Sequence, residues 1–248
     1  MFSFAKKRSS LPPANRTLAV GDRVLPLKIK SNKRAKRITL RIDPGGRGLS
    51  LTVPPHLDES EISEFLEKYH GWILTKLAKF PKESGLREGH TIPIRGVDHV
   101  IERTGEIRGV TEAISDGDQH ILRVSGGEEH LNRRIADYLK KQARDDLEKF
   151  TNYHAGQLGK PYKSITLRDT RSRWGSCTSD GKLSYSWRII MAPSYVLDYL
   201  TAHEVAHLVE MNHEPQFWQL CESLCPHMQE GKKWLKQNGS LLHAVDFG

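Results

Sequence analysis

The pattern His203-Glu204-x-x-His207, followed by His213, is the spacing in this chain best suited to chemistry. On a helix, His203 and His207 stand one turn apart on one face, separated by about 40° around the axis. Two imidazoles so placed can share one Zn²⁺ and leave positions for a further ligand and a water. Glu204, about 100° round the same helix, is placed to take a proton from a water that the ion has made acidic. His213 cannot reach the pair by continuing the helix, because six further residues turn it about 120° away. The helix is therefore expected to end near Met211-Asn212, with Glu214-Pro215 opening a new one.

Those groups need an element to hold them. Pro193-Ser194 reads as a helix start with Ser194 as N-cap, and no Gly or Pro interrupts the stretch from there to the histidines. Val196, Leu200, His203 and His207 form a stripe that points inward. Upstream, Arg171-Ser172-Arg173-Trp174-Gly175-Ser176-Cys177 leads into an Asp180-Gly181 turn. Leu183, Tyr185, Trp187, Ile189 and Met191 then alternate, so the return strand is expected to run over nine residues. Ile165 and Leu167 mark a further short strand. Beyond His213, Phe217, Leu220, Cys221 and Leu224 form one face of a helix, and Trp234 and Leu235 belong to a last one.

The first half reads as strands. Leu25, Leu27 and Ile29, then Ile38, Leu40 and Ile42, then Leu49, Leu51 and Val53 alternate and predict a three-stranded meander with a basic polar face. Asp58 and Glu61 open a helix as a capping box. Its apolar positions run from Ile62 to Phe80, with Tyr69 and Trp72 expected in the core rather than as a base-stacking platform. Residues 91–124 read as a second group of strands, and Leu131 to about His154 as a long helix. No internal repeat is visible, and there is no phosphate loop, dinucleotide glycine pattern or serine-nucleophile elbow. The other histidines (His56, His70, His90, His99, His120, His130) are scattered and read as surface or structural.

Composition sets further bounds. At 248 residues the chain is large enough for one elaborate domain or two lobes. Three cysteines (Cys177, Cys221, Cys225) do not make a disulfide framework and fit a reducing compartment. Cys221 and Cys225 lie one helical turn apart near His227, which is compatible with a second metal site, although buried helix cysteines are the plainer reading. No apolar run resembles a signal peptide or a membrane span, so a cytoplasmic protein without membrane association is expected. Of the formal charge of +8, residues 1–47 hold thirteen Lys and Arg against Asp22 and Asp43, leaving the remainder net acidic. The densest part is Lys33-Arg34-Ala35-Lys36-Arg37, a possible nucleic-acid contact. The organisation read from these signals is a flexible basic tail over 1–18, an N-terminal β-rich lobe with a packed helix over 19–128, and a second lobe over 129–248.

Three stretches together resemble a known family. They are S-N-K-R-A-K-R-I-T-L-R-I with L-S-L-T-V-P-P, then R-S-R-W-G-S-C, then H-E-V-A-H-L-V-E-M-N-H-E-P-Q-F-W. The chain resembles the YgjP-like metallopeptidase domain proteins, relatives of the SprT and WLM zinc peptidases. The resemblance implies an α+β fold whose second lobe is zincin-like, with a small antiparallel sheet and a strand beside the active-site helix. It implies Zn²⁺ held by His203, His207 and His213, Glu204 as general base, and a peptide or protein substrate. Arg173, Tyr185 and backbone amides of the R-W-G-S-C hairpin are candidate oxyanion donors. For Arg173 a salt bridge bracing the hairpin is the competing role, and Trp174 reads as packing. Some members of this family are described as nucleotide pyrophosphatases, so hydrolysis of phosphoanhydrides is the alternative activity. Zinc that only braces the lobe is a third reading, and three histidines beside a carboxylate argue against it. Metzincins share the histidine spacing but carry Gly where this chain has Glu210, and no Met-turn is visible.

Overall fold

Alternation over residues 16–53 produces a sheet, but not a meander. The computed structural model describes residues 16–81 and 85–247. Most of the expected basic tail lies outside them, while its last three residues belong to the first strand. Strands β1 (Arg16–Val20), β2 (Arg23–Ser31), β3 (Thr39–Ile42) and β4 (Leu49–Val53) pair in the order β1-β2-β4-β3. β4 inserts between β2 and β3, parallel to the first and antiparallel to the second. The physical reason is burial. Leu49, Leu51 and Val53 are all fully enclosed, so the most apolar of the three strands takes the central place.

The expected single helix from Asp58 onward is two, α1 (Glu59–Lys68) and α2 (His70–Leu77). The Asp58/Glu61 capping box is present. Tyr69 leaves the helical region at φ −98° and ψ 6°, which breaks the run between them. The break rotates Tyr69 and Trp72 outward, to 38% and 43% exposure, so neither is a core residue. Ile62, Leu66, Ile73 and Leu77 take the buried positions instead.

The chain divides into two compact units between residues 82 and 83, not at 128/129. Strands β5 (Thr91–Ile94), β6 (Val97–Arg103), β7 (Glu112–Asp116) and β8 (Gln119–Val124) therefore belong with the C-terminal unit. Ile92, Ile94, Ile101, Leu122 and Val124 share one apolar cluster with Leu131, Ile135 and Leu139 of α3 (Leu131–Leu158). α3 runs a turn past His154 and ends at Gly159, whose φ of 60° suits glycine.

The third sheet consists of β9 (Ser164–Arg168), β10 (Gly175–Cys177) and β11 (Lys182–Ser186), in the order β10-β11-β9. It is mixed, not antiparallel, because β9 and β11 run parallel. β11 stops at Ser186, and Trp187–Met191 form a 3₁₀ segment in place of the last part of the expected strand. All five of its residues are buried, so apolar side chains there mark enclosure on every side instead of one face of a pleat.

One connection recurs in all three sheets. A strand is followed by an antiparallel hairpin whose second member returns to pair parallel with the first: β2-β4-β3, β6-β8-β7 and β9-β11-β10. A helix comes after each one. The repeat is one of topology and leaves no trace in residue identity. The fold is thus α+β, with three small mixed sheets and six α-helices among the described residues, the last three being α4 (Ser194–Ala206), α5 (Pro215–Leu224) and α6 (Met228–Asn238). No described helix is long and apolar enough to cross a membrane.

Candidate metal centre and active site

α4 begins with Pro193, not Ser194, as its N-cap, and makes no side-chain capping bond. It ends at Ala206 with His207 as C-cap, well before the expected stop near Met211-Asn212. The cause is a tightened last turn: Leu208 donates to Val205 O and Val209 to Ala206 O. This early stop brings Glu210 back beneath His207, whose Nδ1 donates to the Glu210 carbonyl at 2.9 Å. That bond fixes the proton on Nδ1 and leaves the Nε2 lone pair free, as a metal-ligating imidazole requires.

The loop then carries His213 back over the helix, and Pro215 starts α5. His213 Nε2 lies 3.1 Å from His203 Nε2, and one ring nitrogen from each of the three histidines falls within 4.8 Å of the others. Nitrogen ligands at about 2.0–2.1 Å around a tetrahedral zinc stand about 3.3–3.4 Å apart, so the spacing suits a shared ion. Burial, with the neighbouring imidazoles, lowers His203 to about 3, and burial lowers His207 as well, so both rings are neutral donors. The geometry and the neutral donor set fit a divalent metal.

Phe217 is the floor of this cluster. It is fully buried, and its ring centroid lies 4.9, 4.4 and 4.7 Å from those of His203, His207 and His213. Trp218 stacks on His213, and its Nε1 donates to the His213 carbonyl at 3.2 Å. Both aromatics come from one Phe-Trp pair on the first turn of α5, a supporting role that residue spacing alone does not reveal. An apolar shelf of this kind holds the rings in place and dries one side of the centre.

Glu204 is only 4% exposed. Burial pushes its carboxyl up to about 8, against the pull of the Arg173 charge. β10 passes directly over it: a Cβ on Gly175 would stand 2.7 Å from both Cγ and Cδ of Glu204. The glycine of the R-W-G-S-C motif is thus required by close approach.

The other candidates separate. Arg173 is exposed, makes no ion pair among the described residues, and lines a polar groove of about 370 Å³ along β9–β11 with Arg168, Lys182 and several hydroxyls. Among the described residues the bracing salt bridge weighed for it is not made. Tyr185 is 1% exposed, and its hydroxyl lies 3.1 Å from Thr151 Oγ1 on α3. It buttresses the sheet from within and faces no solvent. Trp174 packs, stacking on His243 with ring centroids 4.9 Å apart. Arg188, which carries no sequence signal, is buried and braces the lobe with bonds to Asp169 and to the Leu242 and Val245 carbonyls.

Three converging imidazoles beside a buried glutamate are the arrangement of a metal-dependent hydrolase. The family model for the YgjP-like metallopeptidase domain matches residues 36–238, most of the chain, and the protein belongs to that family. No curated protein matches it. Among solved structures, the chain is similar to the crystal structure of the metallopeptidase zymogen of Pyrococcus abyssi abylysin, at 17% identity and a TM-score of 0.34, over 37% of this chain and 93% of that one. At that score the likeness says nothing about activity.

Proposed function

We propose that the protein is a zinc-dependent peptide hydrolase of zincin-like design, with His203, His207 and His213 as metal ligands and Glu204 as general base. The observation that carries this reading is the convergence of one nitrogen from each histidine beside a buried carboxylate. Zn²⁺ held there supplies a Lewis acid that polarises a carbonyl and acidifies water. Glu204, held against Gly175 and ionised when a divalent cation sits beside it, would accept the proton of the attacking water on its carboxylate and return it to the leaving amine. Arg173, which lines the groove along β10, is the basic side chain we assign to steady a developing oxyanion. β10 is an edge strand, with one side unpaired for an extended peptide to join. Three free cysteines support a reducing, cytoplasmic setting.

The phosphoanhydride reading is the weaker one, since the family is one of metallopeptidase domains. Casein and nucleoside triphosphates offered side by side to the zinc-loaded protein decide between them. Proteolysis that disappears in Glu204→Gln while zinc content is kept supports the proposal. Turnover of triphosphates alone, or full proteolysis by the variant, overturns it.

For a partner, the N-terminal unit supports nucleic acid. Lys33, Arg34, Lys36 and Arg37 are exposed and make no ion pair among the described residues. Next to them, Tyr69, Trp72 and Phe65 line a hollow of about 300 Å³ with Arg37. Cations beside half-exposed rings are the chemistry of a single-strand stacking surface.

A further inference from the structure

A second group of ligating side chains lies on the same helix, away from the three histidines. Asp198 of α4, Cys225 at the end of α5 and His227 at the start of α6 each turn a ligand atom inward, all within 4.8 Å of one another. Cys225 Sγ stands 3.7 Å from Asp198 Oδ2, and His227 Nε2 stands 3.1 Å from the same oxygen. Around a tetrahedral zinc, bonds of about 2.3 Å to sulfur and about 2.0–2.1 Å to nitrogen and oxygen space such ligands about 3.4–3.6 Å apart. The observed spacings straddle that range.

Cys225 Sγ donates to Asp198 Oδ2, but hydrogen bonding does not account for His227. His227 Nε2 is buried and close to the carboxylate, yet it meets no hydrogen-bond geometry with it or with any other described group. A nitrogen in that position, near an oxygen but not directed at it, is what two ligands of one ion look like. The other carboxylate oxygen is already held, because His154 Nε2 of α3 donates to Asp198 Oδ1 at 2.7 Å. Metal-binding carboxylates are secured by outer partners in this way.

We infer that Asp198, Cys225 and His227 form a second Zn²⁺ site, braced by His154, that ties α4 to α5 and α6 independently of the three-histidine centre. A thiolate, an imidazole and a carboxylate are a donor set for zinc or cobalt, not for magnesium or calcium. The His227 ring, 40% exposed, gives the ion a way in. Cys221 of the same helix, one turn from Cys225, is not among the ligands; its place is taken by Asp198, which is distant in sequence.

Cobalt separates the two centres, because only a cysteine site gives thiolate-to-cobalt charge-transfer absorption in the near ultraviolet. The full-length protein, stripped and reloaded with Co²⁺, is expected to bind two ions per chain and show that band. Cys225→Ser, checked for folding by circular dichroism, should bind one ion and lose the band. His227→Ala should weaken binding at this site at least tenfold and leave the other ion in place. His203→Ala should also bind one ion but keep the band. If the three-histidine assignment is wrong, His203→Ala keeps its full metal content with the band unchanged, a different pattern. Wild-type protein without a thiolate band, or a band that survives Cys225→Ser, overturns the second site.

Discussion

Gly175 and Glu204 are packed so closely that no side chain fits between β10 and α4: a Cβ on the glycine would lie 2.7 Å from Cγ and Cδ of the glutamate. The strand therefore sets the position of the carboxylate, and the Trp-Gly-Ser-Cys motif and the His-Glu-x-x-His motif are halves of one device. Gly175→Ala is expected to push the carboxylate aside and lower kcat about 100-fold, the order expected for a displacement of about 1 Å. Metal content should stay unchanged. Peptide cleavage measured together with zinc stoichiometry checks this, and parallel loss of zinc would mean that the glycine supports the metal cluster instead.

Phe217 touches all three imidazoles and is fully buried. Phe217→Ala should destabilise the fold by about 3–5 kcal/mol through the cavity it leaves. It should also weaken metal binding, since the rings lose their common support. Urea denaturation read with a metal titration tests both, and unaltered metal affinity would show that the loop backbone alone orients the rings.

The Asp169–Arg188 pair predicts a dependence on acid. Burial pushes the Asp169 carboxyl up, but the hydrogen bond from Arg188 and the Arg188 charge outweigh it, so the folded value lies below the ordinary one. A carboxylate depressed on folding contributes stability above its unfolded pKa, and that contribution is lost as pH falls through the folded value. Asp169→Asn should therefore lower stability at neutral pH and flatten its decline below about pH 4. Thermal unfolding between pH 7 and pH 3 reads this directly; parallel profiles for variant and wild type would contradict it.

Binding to the N-terminal unit should be sensitive to both charge and stacking. Trp72→Ala is expected to weaken affinity for single-stranded DNA or RNA by about 1–3 kcal/mol. Neutralising Lys33 and Arg34 should reduce the dependence of affinity on salt. Fluorescence anisotropy across a salt series distinguishes the two effects, and no binding at low salt removes nucleic acid as a partner.

The meeting of the three histidines is legible in the sequence because helical periodicity fixes His203 against His207, and a break before His213 is required by angle. The location of that break is not legible, since it depends on a tightened turn between Val205 and Val209 and on the Glu210 carbonyl that receives His207. Tyr69 shows the same gap. Its apolar neighbours continue a helical pattern straight through it, and only the backbone at that residue decides which face turns outward. The 187–191 segment misleads for the opposite reason: a stretch buried all round has no polar face to report its period. Asp198 and His154 meet across more than forty residues of chain, a pairing that no local pattern encodes.

The recurring sheet connection governs how this protein can be assembled as it leaves the ribosome. In each sheet the strand made last is the one that belongs in the middle, so β2 and β3, β6 and β7, and β9 and β10 must each wait apart for β4, β8 and β11. Translation thus delivers the wedge after the flanks, three times over. A pause that keeps β4, β8 or β11 inside the ribosome after its two flanking strands have emerged would leave two unjoined strand edges exposed to neighbouring nascent chains.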